Sequence, residues 1–324
     1  MKQQTKIKRD GFAIALAWPE TLCKQPGSWY DGLMGTLRIS KHNYYRAGHA
    51  ALVLVDSKSG NCHYFDFGRY HAPYQHGRAR SGITDHGLKI GTVAKISGDG
   101  SVIENFDDIL NELQHNEECH GDGKIHASYC KIDFEKAYKR ARKFQADSPI
   151  PYGPFIFRGS NCSRFVNTCI MAGIPDIGYR LKLSYLVPLT PTPLNNVNSL
   201  DNRRILPPVR EYNASPIQKL NNKLNLKSTL PEPVKPADIP PDAKWLSGEG
   251  AGSWWTIRPA DNNYLIRRYS PHGILECENQ FSINNGGSLD LNMPFHFEHL
   301  SHCEKVRISQ NGKITEFMVY STDN

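Results

Sequence analysis

Proline divides this chain into two parts. Eleven of its 21 prolines fall between Pro188 and Pro241, in a stretch that is also rich in Asn and Ser. Because proline lacks a backbone N–H and fixes φ, such a stretch resists regular structure and suits an extended connector. We therefore expect a first domain over residues 1–190, a proline-rich linker over 191–242 and a second domain over 243–324.

The net charge divides at the same place. Residues 1–190 carry 25 Lys and Arg against 18 Asp and Glu, whereas residues 191–324 carry 14 of each. The formal excess of +7 therefore belongs to the first part, although solvated lysines are the usual cause of such a bias. Basic and aromatic residues are not interleaved, so we expect no nucleic-acid partner. No apolar run approaches the roughly 20 residues of a membrane-spanning helix, so we expect no transmembrane segment.

The first part mixes the periodicities of strands and helices. The predicted strands are Phe12–Trp18, Ala50–Val55, His63–Phe67 and Thr92–Ile96, and the predicted helices are Phe106–Leu113, Phe134–Gln145 and Cys162–Ala172. This order is typical of an α+β domain rather than of alternating βαβ units, and neither a Walker loop nor a GxGxxG motif is present. The basic residues before Phe12 loosely imitate a secretory signal, but the apolar run is short and its cleavage site poor, so we interpret it as a buried strand.

The part from about residue 243 onwards is predicted to be all β. Its β-rich runs are 253–257, 264–269, 273–278, 306–308 and 315–320. Turn residues separate these runs, and Asn311-Gly312 is a strong hairpin signal. We expect a small antiparallel sandwich or half-barrel. The pair Trp254-Trp255 is expected in its core rather than on a ligand platform.

The eight cysteines are scattered and form no CxxC pair. In a chain of this length that pattern indicates reduced, intracellular thiols rather than a disulfide framework. No metal-ligand spacing stands out, and we expect neither a metal nor another cofactor.

The strongest chemical signal is a cysteine at the start of a predicted helix. Cys162 follows Ser160 and Asn161, residue types that cap helices, and the helix ends at Gly173 with Pro175 beyond. Free N–H groups and the helix dipole at this end favour a thiolate over a thiol. A small buried apolar residue is the commoner fate of a cysteine, so position alone leaves both interpretations open.

A nucleophilic cysteine needs a base, and His49 is the candidate. It precedes the wholly apolar run of residues 50–55. A histidine at the end of a buried strand can reach the N-terminus of a helix that packs on the same sheet. The alternative is a histidine that ends a strand at the surface.

The third residue should orient the imidazole from the neighbouring strand. A turn centred between residues 58 and 59 pairs His49 with Gly68 and puts Asp66 one diagonal step away on the same face. A slip of one residue would bring His63 or Phe67 there instead. We choose Asp66 and keep His63 in reserve, the alternative for Asp66 being a solvent-facing residue.

The segment over residues 67–80 is rich in His, Arg and Tyr. It follows the strand of Asp66 and could line a substrate groove in which arginines bind a carboxylate. Arg80 is one such arginine. The predicted substrate-binding residues are Tyr44, Arg69, His71 and Arg78. A plain surface loop, and packing in the case of Tyr44, are the alternatives.

The motif Asn161 to Val166, together with the strand that His49 begins, resembles the papain-like thiol hydrolases of the NlpC type. The order His49, Asp66, Cys162 is that of their circularly permuted branch, which includes the lecithin retinol acyltransferase group. The resemblance covers about residues 10–190. It implies an α+β papain-like core with the cysteine on a helix packed against an antiparallel sheet, here followed by an all-β C-terminal domain. The chain departs from the family at Asp66, where many members have a second histidine.

Members of this family cleave or transfer acyl groups, in bacterial cell-wall peptides or in lipids. The resemblance therefore implies a cysteine hydrolase acting on an amide or ester bond, with cell-wall peptide as the leading substrate. The alternative is a binding protein with an inert papain-like shell and a ligand-recognising β-domain. A lipid acyltransferase is disfavoured because no membrane anchor is evident. Without a signal peptide, we expect the protein in the cytoplasm or exported by a signal-independent route.

Overall fold

The two apolar strands over residues 11–18 and 49–56 form the centre of the first domain, because their side chains are buried on both faces of a sheet. The computed structural model describes residues 8–24, 40–41, 44–45, 47–119, 121–185, 191–209, 228–284 and 286–320. The elements up to residue 206 are β1 Gly11–Trp18, β2 Cys23–Lys24, β3 Ser40–Lys41, β4 Tyr44–Tyr45, β5 His49–Asp56, β6 Cys62–Gly68, β7 His76–Ser81, α1 Phe106–His115, β8 Ile125–Ile132, α2 Phe134–Asp147, β9 Ile150–Pro151, α3 Cys162–Ala172, α4 Ile177–Tyr185, α5 Pro193–Asn198 and β10 Asp201–Leu206.

Within the described residues, seven strands form an antiparallel sheet in the order β10-β8-β1-β5-β6-β7-β9. Helices α2 and α3 pack on one face, against side chains such as Leu52 and Phe65. Helix α1 packs on the other face, against side chains such as Leu16 and Val53. The near-continuous apolar sequences of β1 and β5 follow from this burial on both sides. The first domain is therefore α+β, as predicted.

The predicted strand Thr92–Ile96 is wrong, because that segment is irregular apart from an isolated bridge between Ile96 and Ile103. Strands β7 and β8 were not predicted. In β7 the signal is hidden because Arg78 and Arg80 are buried in ion pairs instead of facing solvent.

The first part of the predicted linker is also wrong. Residues 193–206 form α5 and β10, and β10 adds to the edge of the first sheet beside β8. Pro193 begins α5, a position where proline costs no hydrogen bond, and Thr192 caps the helix in a capping box. Val197 and Leu200 reach the core. Residues 228–243 lack regular structure, as predicted, and residues 210–227 lie outside the described part.

The C-terminal domain is all β, as predicted. Its strands are β11 Lys244–Leu246, β12 Ser253–Ala260, β13 Asn263–Tyr269, β14 Leu275–Ile283, β15 His296–Glu298, β16 Lys305–Gln310 and β17 Lys313–Val319. They form an antiparallel sheet in the order β11-β12-β13-β14-β17-β16-β15. Asn311 and Gly312 turn β16 into β17 with φ of 51° and 73°, the left-handed conformation that this hairpin requires. Trp254 and Trp255 are core residues, each 1% exposed.

The C-terminal domain docks on the segment that follows β6. Gly250 N–H donates to the Arg69 carbonyl at 2.8 Å, and His71 N–H donates to the Ala251 carbonyl at 3.1 Å. Nearby, the Asp85 carboxylate accepts hydrogen bonds from both terminal nitrogens of Arg78 and from Arg268 Nη1 of β13. Ion pairs and backbone bonds thus join the two domains.

None of the helices in the described part of the chain has the length and apolar character needed to cross a bilayer.

Replacing Asp85 by asparagine should lower the free energy of unfolding by about 3–5 kcal/mol, because it leaves the buried guanidinium of Arg78 without its anion and removes one carboxylate partner of Arg268, which keeps Glu276. Urea denaturation measures the effect. The matched control is Asp242→Asn, which breaks an exposed pair with Arg258 and should cost under about 0.5 kcal/mol. Equal stability losses in both variants would contradict the prediction.

Candidate active site

Cys162 is the first residue of α3, as the sequence predicts. The helix is capped by Asn161, whose Oδ1 accepts a hydrogen bond from the Arg164 N–H at 2.8 Å. The cysteine side chain packs into the core beneath the helix with Phe165 and Val166, and 6% of its surface is exposed. The Ser163 hydroxyl lies 3.8 Å from Sγ. The sulfur thus sits at the helix end where backbone N–H groups point outward.

His49 is the first residue of β5 and is buried. Its ring stacks on Trp18, its partner across the β1–β5 pair, with the ring centroids 5.9 Å apart. The edge of its ring meets Tyr70 at 6.4 Å. Its Nε2 lies 3.5 Å from Asp66 Oδ2, an ion-pair contact that is longer than a good hydrogen bond.

Asp66 lies where the predicted register puts it. Ala51 is opposite Asp66 in the β5–β6 pair, which is the same register as a pairing of His49 with Gly68. The carboxylate is fully buried. His63, the reserve, is wrong as a partner of His49, because it lies opposite Leu54 and packs against Phe134 and Tyr138 on the other face of the sheet.

The structure brings Cys162, His49 and Asp66 into one interacting group. Burial by itself lowers the pKa of His49, but the interactions with Asp66 and Cys162 outweigh it and raise the pKa to about 9. Burial likewise disfavours the Cys162 thiolate, yet His49, Ser163 and the Ala50 N–H stabilise it enough to lower the pKa of this thiol. The arrangement therefore favours the charged forms of both residues, a thiolate and an imidazolium.

Burial raises the pKa of Asp66, but the charge of Arg80 and the contact with His49 reverse this and hold the pKa well below its usual range. Asp66 is therefore ionised over the whole pH range in which His49 and Cys162 titrate. The sequence marks Arg80 as a candidate for binding substrate and not as the partner of Asp66. The signal that could have identified its real contact is that Arg80 lies directly opposite Asp66 once β7 pairs with β6.

Two of the predicted substrate-binding residues are buried in contacts within the protein. Arg78 is 2% exposed, places both terminal nitrogens on Asp85 and donates from Nε to the Tyr70 carbonyl. His71 is buried, and its Nδ1 lies 2.8 Å from the Ser253 hydroxyl. The C-terminal domain contributes Ser253 and Arg268 to these contacts, which the local sequence could not reveal, and binding of substrate by Arg78 and His71 stays a prediction.

Arg69 also meets the C-terminal domain. Its Nη1 lies 2.5 Å from Glu249 Oε1, and its guanidinium lies over the ring of Tyr152, 5.1 Å from the centroid. Arg69 is therefore placed near the nucleophile but already shares its charge with Glu249. Tyr44 belongs to the short strand β4, and its side chain lies outside the described part of the structure.

Sequence reasoning missed three residues around the site. Trp18 and Tyr70 pack on the His49 ring. Burial and the negative charge of Cys162 raise the pKa of Tyr152. Trp18 could have been found from the pairing of β1 with β5, whereas nothing in the local sequence marks Tyr152. Over the described ranges, no group of three or more His, Cys, Asp or Glu residues is arranged to hold a metal ion.

Comparison with known proteins adds three findings. The family described as type VI secretion system effector TseH-like matches residues 13–178, slightly more than half of the chain, and the family described as the DUF6695 C-terminal domain matches residues 243–320. The crystal structure of the type VI secretion system effector TseH is similar with a TM-score of 0.38 and 19% sequence identity, covering 59% of this chain and 88% of that chain. A comparison with curated proteins finds no match.

Iodoacetamide at pH 7 should label Cys162 at least about tenfold faster than Cys62 or Cys277, because the pKa of Cys162 is lowered, the pKa values of the other two thiols are raised, and each pKa unit changes the thiolate fraction about tenfold. The three side chains are similarly buried, which makes them matched comparators. Mass spectrometry of the digested protein measures the three rates. His49→Ala should bring Cys162 down to the rate of the other two.

Proposed function

The chain belongs to the TseH-like family of type VI secretion system effectors, and from this premise we propose that it is a cysteine hydrolase in which Cys162 attacks an acyl carbon. The observation that carries the proposal is the interacting group of Cys162, His49 and the buried Asp66, in which the pKa of the thiol is lowered and the pKa of the imidazole is raised. Structural ion pairs also shift pKa values. Here, however, a cysteine at a helix N-terminus interacts with a histidine, which in turn interacts with a carboxylate, and this is the arrangement of a nucleophile, a base and an orienting group.

In the proposed mechanism the imidazole takes the thiol proton before attack. The sulfur then adds to the acyl carbon of an amide or ester, and the backbone N–H of Cys162 at the helix end donates to the oxyanion that forms. The imidazolium of His49 returns its proton to the leaving amine or alcohol as the carbon–nitrogen or carbon–oxygen bond breaks. Water, deprotonated by His49, releases the acyl group and restores the thiol.

Asp66 supports both half-reactions without exchanging a proton. Because His49 Nε2 faces Asp66, the other ring nitrogen, Nδ1, is the one left for the sulfur. The carboxylate keeps the ring in this orientation and stabilises it when it is protonated. The chain order His49, Asp66, Cys162 is that of the permuted papain-like hydrolases, which supports the same assignment.

Cell-wall peptide is the substrate that we propose. The resemblance to NlpC-type hydrolases supports it, and so does membership of an effector family, since a hydrolase delivered to another bacterium meets peptidoglycan there. Export by the type VI secretion system, which the effector family suggests, would bring the protein to that wall. The basic first part of the chain fits an anionic polymer.

One observation favours the second candidate, a binding protein with an inert shell. Cys162 is 6% exposed, and the predicted substrate residues Arg78 and His71 are occupied by contacts within the protein. In that case the C-terminal domain recognises the ligand and no acyl-enzyme forms. Selective labelling of Cys162 would count against this candidate.

Cys162→Ala and His49→Ala should each lower hydrolysis of purified peptidoglycan by about 10³-fold or more, since each removes a reacting group. Liquid chromatography with mass spectrometry measures the released fragments. Cys62→Ser is the control, because Cys62 lies at the far end of β6 and should keep full activity. Circular dichroism checks that all variants fold. Unreduced hydrolysis in both site variants would refute the proposal.

The pH profile of kcat/KM should be bell-shaped. Activity should fall as the pH rises through about 9, where the raised pKa of His49 lets the imidazolium lose the proton that the leaving group needs. It should also fall at acid pH, as the thiolate of Cys162 is protonated below its lowered pKa. A profile that keeps rising beyond pH 10 would contradict the assignment of His49.

A further inference from the structure

The carboxylate of Asp66 makes its closest contacts with Arg80 and not with His49. Arg80 Nε donates to Oδ1 at 2.9 Å and Nη2 donates to Oδ2 at 2.5 Å, a bidentate pair. Oδ2 also accepts from the Tyr64 hydroxyl at 3.2 Å, while His49 Nε2 stands at 3.5 Å. The anion that faces His49 is therefore already bound on its other sides.

Arg80 is itself fixed on every side. It is 1% exposed, and it lies opposite Asp66 in the β6–β7 pair. Nη2 also donates to the Glu118 carbonyl at 3.0 Å, and the guanidinium lies over the Tyr70 ring, 4.2 Å from the centroid. Since Tyr70 also meets the edge of the His49 ring, one aromatic side chain contacts both cationic groups that share Asp66.

We propose that Arg80 is a positioning residue of the active site, which fixes the Asp66 carboxylate toward His49 and shares its negative charge. This inference rests on the proposed function. Without Arg80 the carboxylate could turn within its pocket and would pair with His49 alone. With Arg80 in place, Asp66 keeps one orientation and stays ionised when the solution becomes acidic, because a cation beside a carboxylate favours its charged form.

The titratable and charged groups that face this pair come from several elements. They are His49 of β5, Tyr64 of β6, Tyr70 of the following segment, Glu118 and Cys119 after α1, and Asp85 after β7. Arg80 lies closer to Asp66 than the His49 ring does, at 2.5 Å against 3.5 Å. Its removal therefore changes the charge balance at Asp66 in one direction, toward easier protonation.

The neighbouring arginine provides a matched control. Arg78 lies two residues away on the same strand, is equally buried and forms the same bidentate pair, but its partner is Asp85. Arg78 and Arg80 thus share strand, burial and a two-bond pair with a carboxylate, through Nη1 and Nη2 in Arg78 and through Nε and Nη2 in Arg80, and they differ in whether that carboxylate faces His49. A role limited to the stability of β7 would make the two arginines equivalent.

The test compares Arg80→Gln with Arg78→Gln by the pH dependence of Cys162 alkylation with iodoacetamide, using the full chain. In Arg80→Gln the acid-side midpoint should rise by about one pH unit, a roughly tenfold slower reaction on that limb, because loss of the cation eases protonation of Asp66 and Cys162. Arg78→Gln should lower the melting temperature but leave the midpoint unchanged. Equal midpoints in both variants would overturn the inference.

Arg80→Lys keeps the charge without the bidentate fork and should restore most of the midpoint. Arg80→Lys also decides the matter if Arg80→Gln does not fold. If the rate of Cys162 alkylation in Arg80→Lys reaches the same high-pH plateau as in the parent, the fixed geometry is not needed. A severalfold lower plateau supports the positioning role.

The proposed function fails in a different way, since Cys162 of the parent would then label no faster than Cys277. In that event NMR titration of the His49 ring still tests Arg80, because Arg80→Gln, but not Arg78→Gln, should raise the midpoint of His49. An unchanged His49 midpoint would contradict the inference.

Discussion

A carboxylate buried in a β-sheet must be paired, and the groups that pair with Asp66 fix the arrangement of the candidate site. Isolated burial of such a charge is costly, so the sheet supplies Arg80 from β7 and His49 from β5 on either side of it. The three strands therefore have to keep one register, since a shift by one residue would turn Asp66 to the opposite face. The ion pair with Arg80 that compensates the burial of Asp66 also keeps an anion beside the His49 imidazole.

Cys162 reaches this group from the other layer. Helix α3 packs on the face of the sheet that carries Leu52, whereas Asp66 shares its face with Tyr64. The two layers meet at the beginning of β5, where His49 is the first residue of the strand. The end of the strand and the end of the helix meet there, and His49 and the Ala50 N–H interact with the sulfur of Cys162.

The C-terminal domain is part of the surroundings of the site and not a separate attachment. Its segment around Gly250 bonds to the backbone of Arg69, and Glu249 neutralises the Arg69 side chain close to Tyr152. Asp85 joins Arg78 of the first domain to Arg268 of the second. The second domain thus covers part of the first near the candidate site, which accounts for the burial of the basic segment that looks exposed in the sequence.

The sequence by itself determined the local features: the apolar strands β1 and β5, the helix that begins at Cys162, the hairpin at Asn311-Gly312 and, through the length of one turn, the position of Asp66 beside His49. Only the tertiary structure decided that Arg80 binds Asp66, that Arg78 and His71 are covered, and that Tyr152 lies near the sulfur. The reason is physical. Propensity, capping and register act over a few residues, whereas the partner of a buried charge is chosen by whichever distant segment packs against it.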